Sequence, residues 1–413
     1  MPSERAVELV VLLDAPELGQ TRPVGVLTRW PGPRGAISFA YAASWLSSRW
    51  AFAIDPTLPL TDGLIYMPER TVPPVLSDTS PDAWGEALMI RREGRNLDPW
   101  DLLVGVADET RMGALRLRRG IEGAFVSDRD PAVPPVANLR DLQAAARRFE
   151  EDPGAPISDA WIALLVAPGS SLGGARPKAN FRASDGSLWI AKFPARTDRQ
   201  DAGAWEHVYA QLARTAGITV AETDLLRVAG PARTFITRRF DRDATGARRL
   251  FASAETLTGR QRGEAADYAD IARAITDQGA TRTVREDLAQ MYRRVAFNVL
   301  AGNRDDHLRN HGFLRTVEGW RLAPAFDLNP AREAREHALA VNGVSFAPSA
   351  TDVLASRVHF GLGEGAARAI ISEVAEALAR WRTIARIAGI GPAEQDRVGV
   401  AFAALESMEA LAT

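Results

Sequence analysis

The segment SLGGARPKANFRASDGSLWIAKF, residues 171–193, contains Lys178 and Lys192, the only two lysines among the 50 basic residues of the chain. Every other cation is arginine. On solvated faces the two residue types serve about equally well, but a site that needs a compact ammonium cannot use a planar guanidinium fork. A phosphate cradle is such a site, since lysine is the usual point-charge phosphate binder. Gly173 and Gly174, followed by Ala175, Arg176 and Pro177, stand directly before Lys178. Residues without bulky side chains let backbone N–H groups approach an anion. The lysine is not followed by Ser or Thr, so this is not a Walker A loop. Downstream, ANFRASDGSLWIAKFPA reads as a hairpin turning at Ser184, Asp185 and Gly186, with Lys192 near the end of its second strand.

Outward from this segment, DAGAWEHVYAQLARTAG is an amphipathic helix stopped at Gly217, and TDLLRVAG and ARTFITRRF are strands. From about residue 266 helices dominate (DYADIARAI, REDLAQMYRRVAFNVLAG), interrupted by a strand pair in HGFLRTVEGWRLA and followed by a helical tail. On the N-terminal side, residues 7–41 alternate apolar runs with turn residues and predict a small antiparallel sheet. Helices follow in SPDAWGEALMIRRE and in LDPWDLLVGVA, where Asp98 caps and Pro99 takes the first helical position. The Pro- and Asp-rich stretch 126–141 is the best linker, and NLRDLQAAARRFEED beyond it is helical. The expected division is residues 1–125, 138–245 and 246–413.

At 413 residues two or three domains are expected. The net charge of −2 argues against nucleic-acid binding by bulk electrostatics. The chain has no cysteine, which excludes disulfides, thiolate metal sites and cysteine nucleophiles. The N-terminus makes a poor signal peptide and no apolar run is long enough to span a bilayer, so a cytoplasmic location is expected.

Two further clusters could carry chemistry. GNRDDHLRN, residues 302–310, gathers Asn303, Asp305, Asp306, His307 and Asn310 after a strongly periodic helix. Such loops are often merely solvated, with Asp305 or Asp306 capping a turn. An Asp and an Asn five apart is also what phosphoryl transfer needs, one accepting a hydroxyl proton and one helping to hold magnesium. In LAPAFDLNP, Phe326 and Asp327 end the strand pair, and Asp327 offers a hard oxygen ligand where a turn former would serve as well. The order is glycine loop, hairpin lysine, helix, two strands, Asp…Asn loop, short strands, Asp. That is the order of parts in protein-kinase-like phosphotransferases. The fold class expected is α+β, a two-lobed kinase-like fold with a small β-rich N-terminal domain and a helical C-terminal lobe.

These segments together resemble the HipA family of bacterial serine/threonine kinases, the toxin halves of toxin–antitoxin pairs. VGVLTRWPGPRGAISFAYAASWL, PTLPL and DLLVGVADETRMGALRL resemble its N-terminal domain; GGARPKA, WIAKFP, RRFDR, GNRDDHLRN and LAPAFDL resemble its nucleotide, hinge, catalytic and metal segments. The resemblance implies ATP and magnesium as cofactors, Asp305 as base, His307 near the nucleotide, and Asn310 and Asp327 on the metal. It implies Lys192 on the α/β phosphates, with Glu206 as its partner. Residues 173–178 would line the nucleotide loop, Arg238, Arg239 and Phe240 would form the adenine hinge, and Asp241 would reach the ribose. Ser171 stands where the family carries an autophosphorylated serine, with Ser170 an equal candidate on the residues alone. Arg304 and Arg309 depart from the Thr and Lys of many relatives. The implied partners are a protein substrate and a helix-turn-helix antitoxin, with operator DNA reached only through the antitoxin complex. Two other functions compete. One is a module that docks antitoxin and DNA and holds ATP as a structural ligand; the other is a small-molecule kinase on the same fold.

Overall fold

The computed structural model describes residues 5–19, 21–32, 35–127, 133–152, 165, 176–260, 263–331, 334–343 and 345–405. The chain divides into two compact units. Unit 1 is residues 1–190 with 239–259, and unit 2 is residues 191–238 with 260–413.

Unit 1 opens with the predicted sheet. Strands β1 (Val7–Leu13), β2 (Arg22–Arg29) and β3 (Ile37–Tyr41) pair antiparallel, with Leu9 opposite Leu27 and Leu27 opposite Phe39. The two-residue β4 (Ile65–Tyr66) and the strand β5 (Leu115–Arg118) complete the order β4-β3-β2-β1-β5. Helix α1 (Ala83–Glu93) starts where Asp82 accepts from the Gly85 N–H, and Gly94 ends it in the left-handed region. Helix α2 (Pro99–Gly105) carries a full capping box between Asp98 and Asp101. Its last carbonyls are not left bare: the buried Arg111 donates to the Leu103 and Val106 carbonyls at 3.0 and 2.9 Å. Helix α3 (Leu139–Glu151) lays Leu139, Leu142, Ala146 and Phe149 into the core, as its spacing predicts. Strands β6 (Lys178–Arg182) and β7 (Leu188–Lys192) form the hairpin, and Gly186 makes its turn at φ +83°. The division between the units falls within β7.

Unit 2 begins with α4 (Ala202–Thr215), whose cap Asp201 accepts from the Ala204 N–H. Strands β8 (Thr223–Leu226) and β9 (Thr234–Arg238) pair antiparallel. A methyl group at Gly203 would lie 2.4 Å from the Arg233 carbonyl, so only glycine lets the start of α4 rest on this strand pair. Helices α5 (Tyr268–Gln278) and α6 (Val284–Leu300) follow, then the antiparallel pair β10 (Gly312–Arg315) and β11 (Trp320–Leu322), and α7 (Glu364–Leu378) in the tail. Helix α6 is the spine: Met291, Tyr292, Val295, Phe297 and Val299 are all buried. At its end Gly302 takes φ +66°, and a Cβ there would lie 2.3 Å from the Ala401 carbonyl. That close approach launches the polar loop 303–310 from a fixed point. Among the described residues no helix is long and apolar enough to cross a membrane.

Candidate active site

Unit 2 gathers its chemistry around Lys192. The end of β7 delivers the ammonium into a buried position, where it is 2.6 Å from Glu206 Oε1 and 2.7 Å from Asp327 Oδ1. Glu206 is presented by the second turn of α4, whose start is fixed by the Gly203 contact and by Asp201, which also takes Arg233 Nε at 2.7 Å. Burial alone would lower the lysine pKa, but the Asp327 and Glu206 carboxylates reverse this and raise it to about 12. Lys192 is therefore charged across any working pH. Asp327 follows β11 in the left-handed region at φ +57°, a conformation uncommon for non-glycine residues that Asp adopts more readily than most. Phe326 beside it is buried.

The loop after α6 treats its two adjacent aspartates in opposite ways. Asp305 is exposed. Asp306 is buried and accepts from Tyr268 Oη at 2.6 Å, Asn298 Nδ2 at 2.7 Å and His311 Nε2 at 2.7 Å. Burial raises the Asp306 pKa, yet His311 and the Tyr268 hydroxyl outweigh it and hold the carboxyl below its ordinary value. Asp305 moves the other way. The surrounding protein raises its pKa, His307 opposes, and the charges of Asp327 and Asp306 add to the rise. The choice between the two aspartates, open in sequence, resolves into one presented side chain and one anchored one.

Asn310 binds the loop to itself, its Nδ2 donating to the Asp305 carbonyl at 3.1 Å. Its Oδ1 is buried, with no hydrogen-bond partner among the described residues. A buried acceptor without a donor costs free energy unless a cation or water meets it. Magnesium bound by one or two protein oxygens plus phosphates is the common arrangement at phosphoryl-transfer sites, and Asn310 Oδ1 with the Asp327 carboxylate fits that donor set. Among the described residues no group of three or more His, Asp or Glu is arranged to hold a metal on its own. His307 is half-buried, and its Nδ1 also lacks a partner among the described residues.

Comparison with known proteins identifies the family. Residues 18–118 match the HipA N-terminal domain, and residues 170–381 match the HipA-like C-terminal domain. The chain belongs to the HipA family. Among solved structures it is similar to HipA of Shewanella oneidensis MR-1, determined as a toxin–antitoxin complex with HipB and operator DNA. The identity is 19%, with 96% of this chain and 95% of that chain covered at a TM-score of 0.67. At that identity the likeness is one of fold, here a mixed helix-and-sheet fold. The Helicobacter pylori proinflammatory kinase CtkA matches at 16% identity over 57% of this chain and 94% of its own, with a TM-score of 0.37. No curated protein matches.

The other HipA-family residues, in unit 1 except for Arg238, have a different setting. Lys178 is buried and ion-paired with Asp82, the residue that caps α1, which places its ammonium in the core of the unit. Asp241 is fully buried and accepts from Arg239 Nε at 2.9 Å, Arg239 Nη2 and the Gly113 N–H at 2.7 Å, and Arg242 Nη1 at 2.6 Å. Arg239 Nη1 is itself spent on the Thr110 carbonyl and Asn180 Oδ1. Burial alone would raise the Asp241 pKa, but the two guanidinium groups hold it far below the ordinary range. The side chains of Arg239 and Asp241 thus tie the RRFDR segment to residues 110–113. Phe240 is half-buried against Phe251, with ring centroids 6.0 Å apart, while Arg238, Arg176 and Pro177 are half-buried to buried. Ser170, Ser171, Gly173, Gly174 and Ala175 lie outside the described residues. Sequence reasoning did not single out Tyr268, Asn298 or His311. An Asn inside the apolar run VAFNVL was a signal for Asn298; nothing in sequence marked Tyr268.

Proposed function

We propose that this chain is an ATP- and magnesium-dependent protein serine/threonine kinase that serves as the toxin of a toxin–antitoxin pair, on a two-lobed kinase-like fold. The observation that carries the reading is Lys192 held between Glu206 and Asp327. Protein kinases use such a strand lysine with a helix glutamate to grip the α/β phosphates.

In this reading Glu206 orients the Lys192 ammonium toward the nucleotide phosphates. The exposed Asp305 accepts the proton of the substrate hydroxyl as that oxygen bonds to the γ-phosphorus and the bond to the β,γ-bridging oxygen breaks, releasing ADP. Its raised pKa favours this, because a carboxylate shifted toward the working pH is the better base. Asn310 keeps the loop closed through its amide hydrogen and, with Asp327, offers oxygens to magnesium. Bound magnesium would neutralise charge on the transferred phosphoryl group.

A helix-turn-helix antitoxin is the proposed partner, supported by membership of the HipA family, and DNA is reached through it. Autophosphorylation of Ser171 or Ser170 would place about −1.5 to −2 charges on the nucleotide loop and switch the enzyme off. The test is γ-labelled ATP with magnesium and a bacterial lysate, followed by phosphopeptide mapping. Label on serine or threonine of a lysate protein, absent with Asp305→Asn, is the expected result. Wild type that labels neither itself nor any protein overturns the kinase reading.

A further inference from the structure

The loop that carries Asp305 has no regular secondary structure over residues 303–307, so no backbone ladder sets the direction of that side chain. The residue next door, by contrast, is firmly held. Three donors converge on a single oxygen, Asp306 Oδ2, from three separate elements. Tyr268 Oη comes from the first residue of α5, Asn298 Nδ2 from the last turns of α6, and His311 Nε2 from the start of the strand pair. Asn298 is in turn fixed from the loop itself, accepting from Asn303 Nδ2 at 3.1 Å while its backbone carbonyl accepts from the Asn303 N–H at 2.9 Å. The Tyr268 ring meets the His311 ring edge to face, with centroids 5.9 Å apart.

Tyr268 is not free to swing. Its N–H donates to the Ala340 carbonyl at 3.2 Å, and the Ala340 N–H donates back to Ala266 at 2.9 Å. The preceding Asp267 caps α5 through the Ala269 N–H and also accepts from the Gly343 N–H. The segment beyond Asp327 thus holds the start of α5, and the start of α5 holds Asp306.

We infer that Tyr268 and Asp306 are a buried positioning pair whose work is to keep the Asp305 carboxylate turned outward from the loop. This rests on the kinase reading of the site. Apolar residues of similar volume would give a core at least as stable as a buried carboxylate with its donors, so stability alone does not call for the pair. What a polar knot supplies, and an apolar patch does not, is one direction for the adjacent residue. Neither side chain touches the reacting atoms; both act through Asp305.

Tyr268→Phe tests this, since it removes one donor and keeps the ring; Asp306→Asn is the second variant. Hydrogen exchange of the amides of residues 303–311 is followed in each, together with kcat, KM for ATP and calorimetric ATP affinity. In Tyr268→Phe, exchange of these amides rises about tenfold, the consequence of losing one hydrogen bond to a charged group, while α6 stays protected. In the same variant kcat falls about tenfold with KM and ATP affinity unchanged, as expected when a base is misplaced and binding is not. Loop exchange equal to wild type in both variants overturns the pair, whether or not the protein transfers phosphate. Faster exchange with full kcat overturns its positioning role. A wild type that transfers nothing overturns the kinase reading and the catalytic part of the inference with it, while the exchange data still report whether the pair holds the loop.

Discussion

Two buried charge clusters, one in each unit, are built from similar groups and reach opposite results. In unit 1 the guanidinium groups of Arg239 and Arg242 close on Asp241, and that of Arg248 on the Arg111, Gly113 and Asp108 carbonyls. In unit 2, Glu206 and Asp327 close on one ammonium, with Asp305 exposed and the Asn310 oxygen unmet among the described residues. The first cluster spends its cations on oxygens already supplied by the fold. The second sets two carboxylates around one ammonium, beside the Asn310 amide oxygen. Arginine, with five fixed donors, suits the first task, and a compact ammonium suits the second.

Four perturbations sharpen or break this contrast. The largest effect is expected for Asp305→Asn, which lowers the initial rate of phosphoryl transfer by roughly 10²–10⁴-fold and leaves calorimetric ATP affinity intact. Full activity would move the base elsewhere. In unit 1 the effect is on stability. Asp241→Ala strands Arg239 and Arg242 in the core and costs about 3–5 kcal/mol by denaturant unfolding, with ATP affinity of the folded variant unchanged. Lost ATP affinity at unchanged stability would restore Asp241 to a ribose. Lys178→Met strands Asp82, which keeps its cap bond to Gly85, and costs about 3 kcal/mol. If ATP binding is lost instead, Lys178 reaches the phosphates and the two lysines are alike after all.

The smallest effect is a pH dependence in unit 2. His337 is buried, and burial lowers its pKa from 6.5 to about 4, with Arg304 acting in the same direction and Asp306 opposing. Its folded pKa is below its unfolded pKa. As pH falls through 6.5 the unfolded chain takes up a proton that the native chain refuses. Stability is therefore lost progressively between pH 6.5 and about 4, by roughly 2 kcal/mol at pH 5. His337→Gln should remove this slope from stability measured across that window; an unchanged slope assigns it to another group.

Much of the fold is legible in residue order. The apolar runs VELVVLL and ISFAY set between turn residues, the cap at Asp98 with Pro99 behind it, the Gly186 hairpin and the long period of α6 all name their elements. Strand β5 and the short strand Phe251–Ser253 have no such mark. A strand of three or four residues shows too few periods to read, and it is defined by the partner it pairs with. The division within β7 is equally unmarked, because it reflects which contacts accumulate on either side.

The site divides along the same line. Residue chemistry and order nominated Lys192, Asn310, Asp327 and the Asp305–Asp306 pair as candidates, with Asp305 singled out by the family resemblance, because phosphate, proton and magnesium each demand a particular functional group whatever the fold around it. Sequence could not say that Lys178 turns to Asp82, that Asp241 faces arginines, or that Asp306 is anchored while Asp305 is presented. Lys178 meets Asp82 across 96 residues and Asp306 meets Tyr268 across 38, and although Arg239 and Arg242 neighbour Asp241 in sequence, the Gly113 N–H that also holds it is 128 residues away. Long-range pairing of buried charge is decided by which donors the packed core brings within about 3 Å. A chain states what its side chains can do; only its tertiary structure selects which of them are already taken.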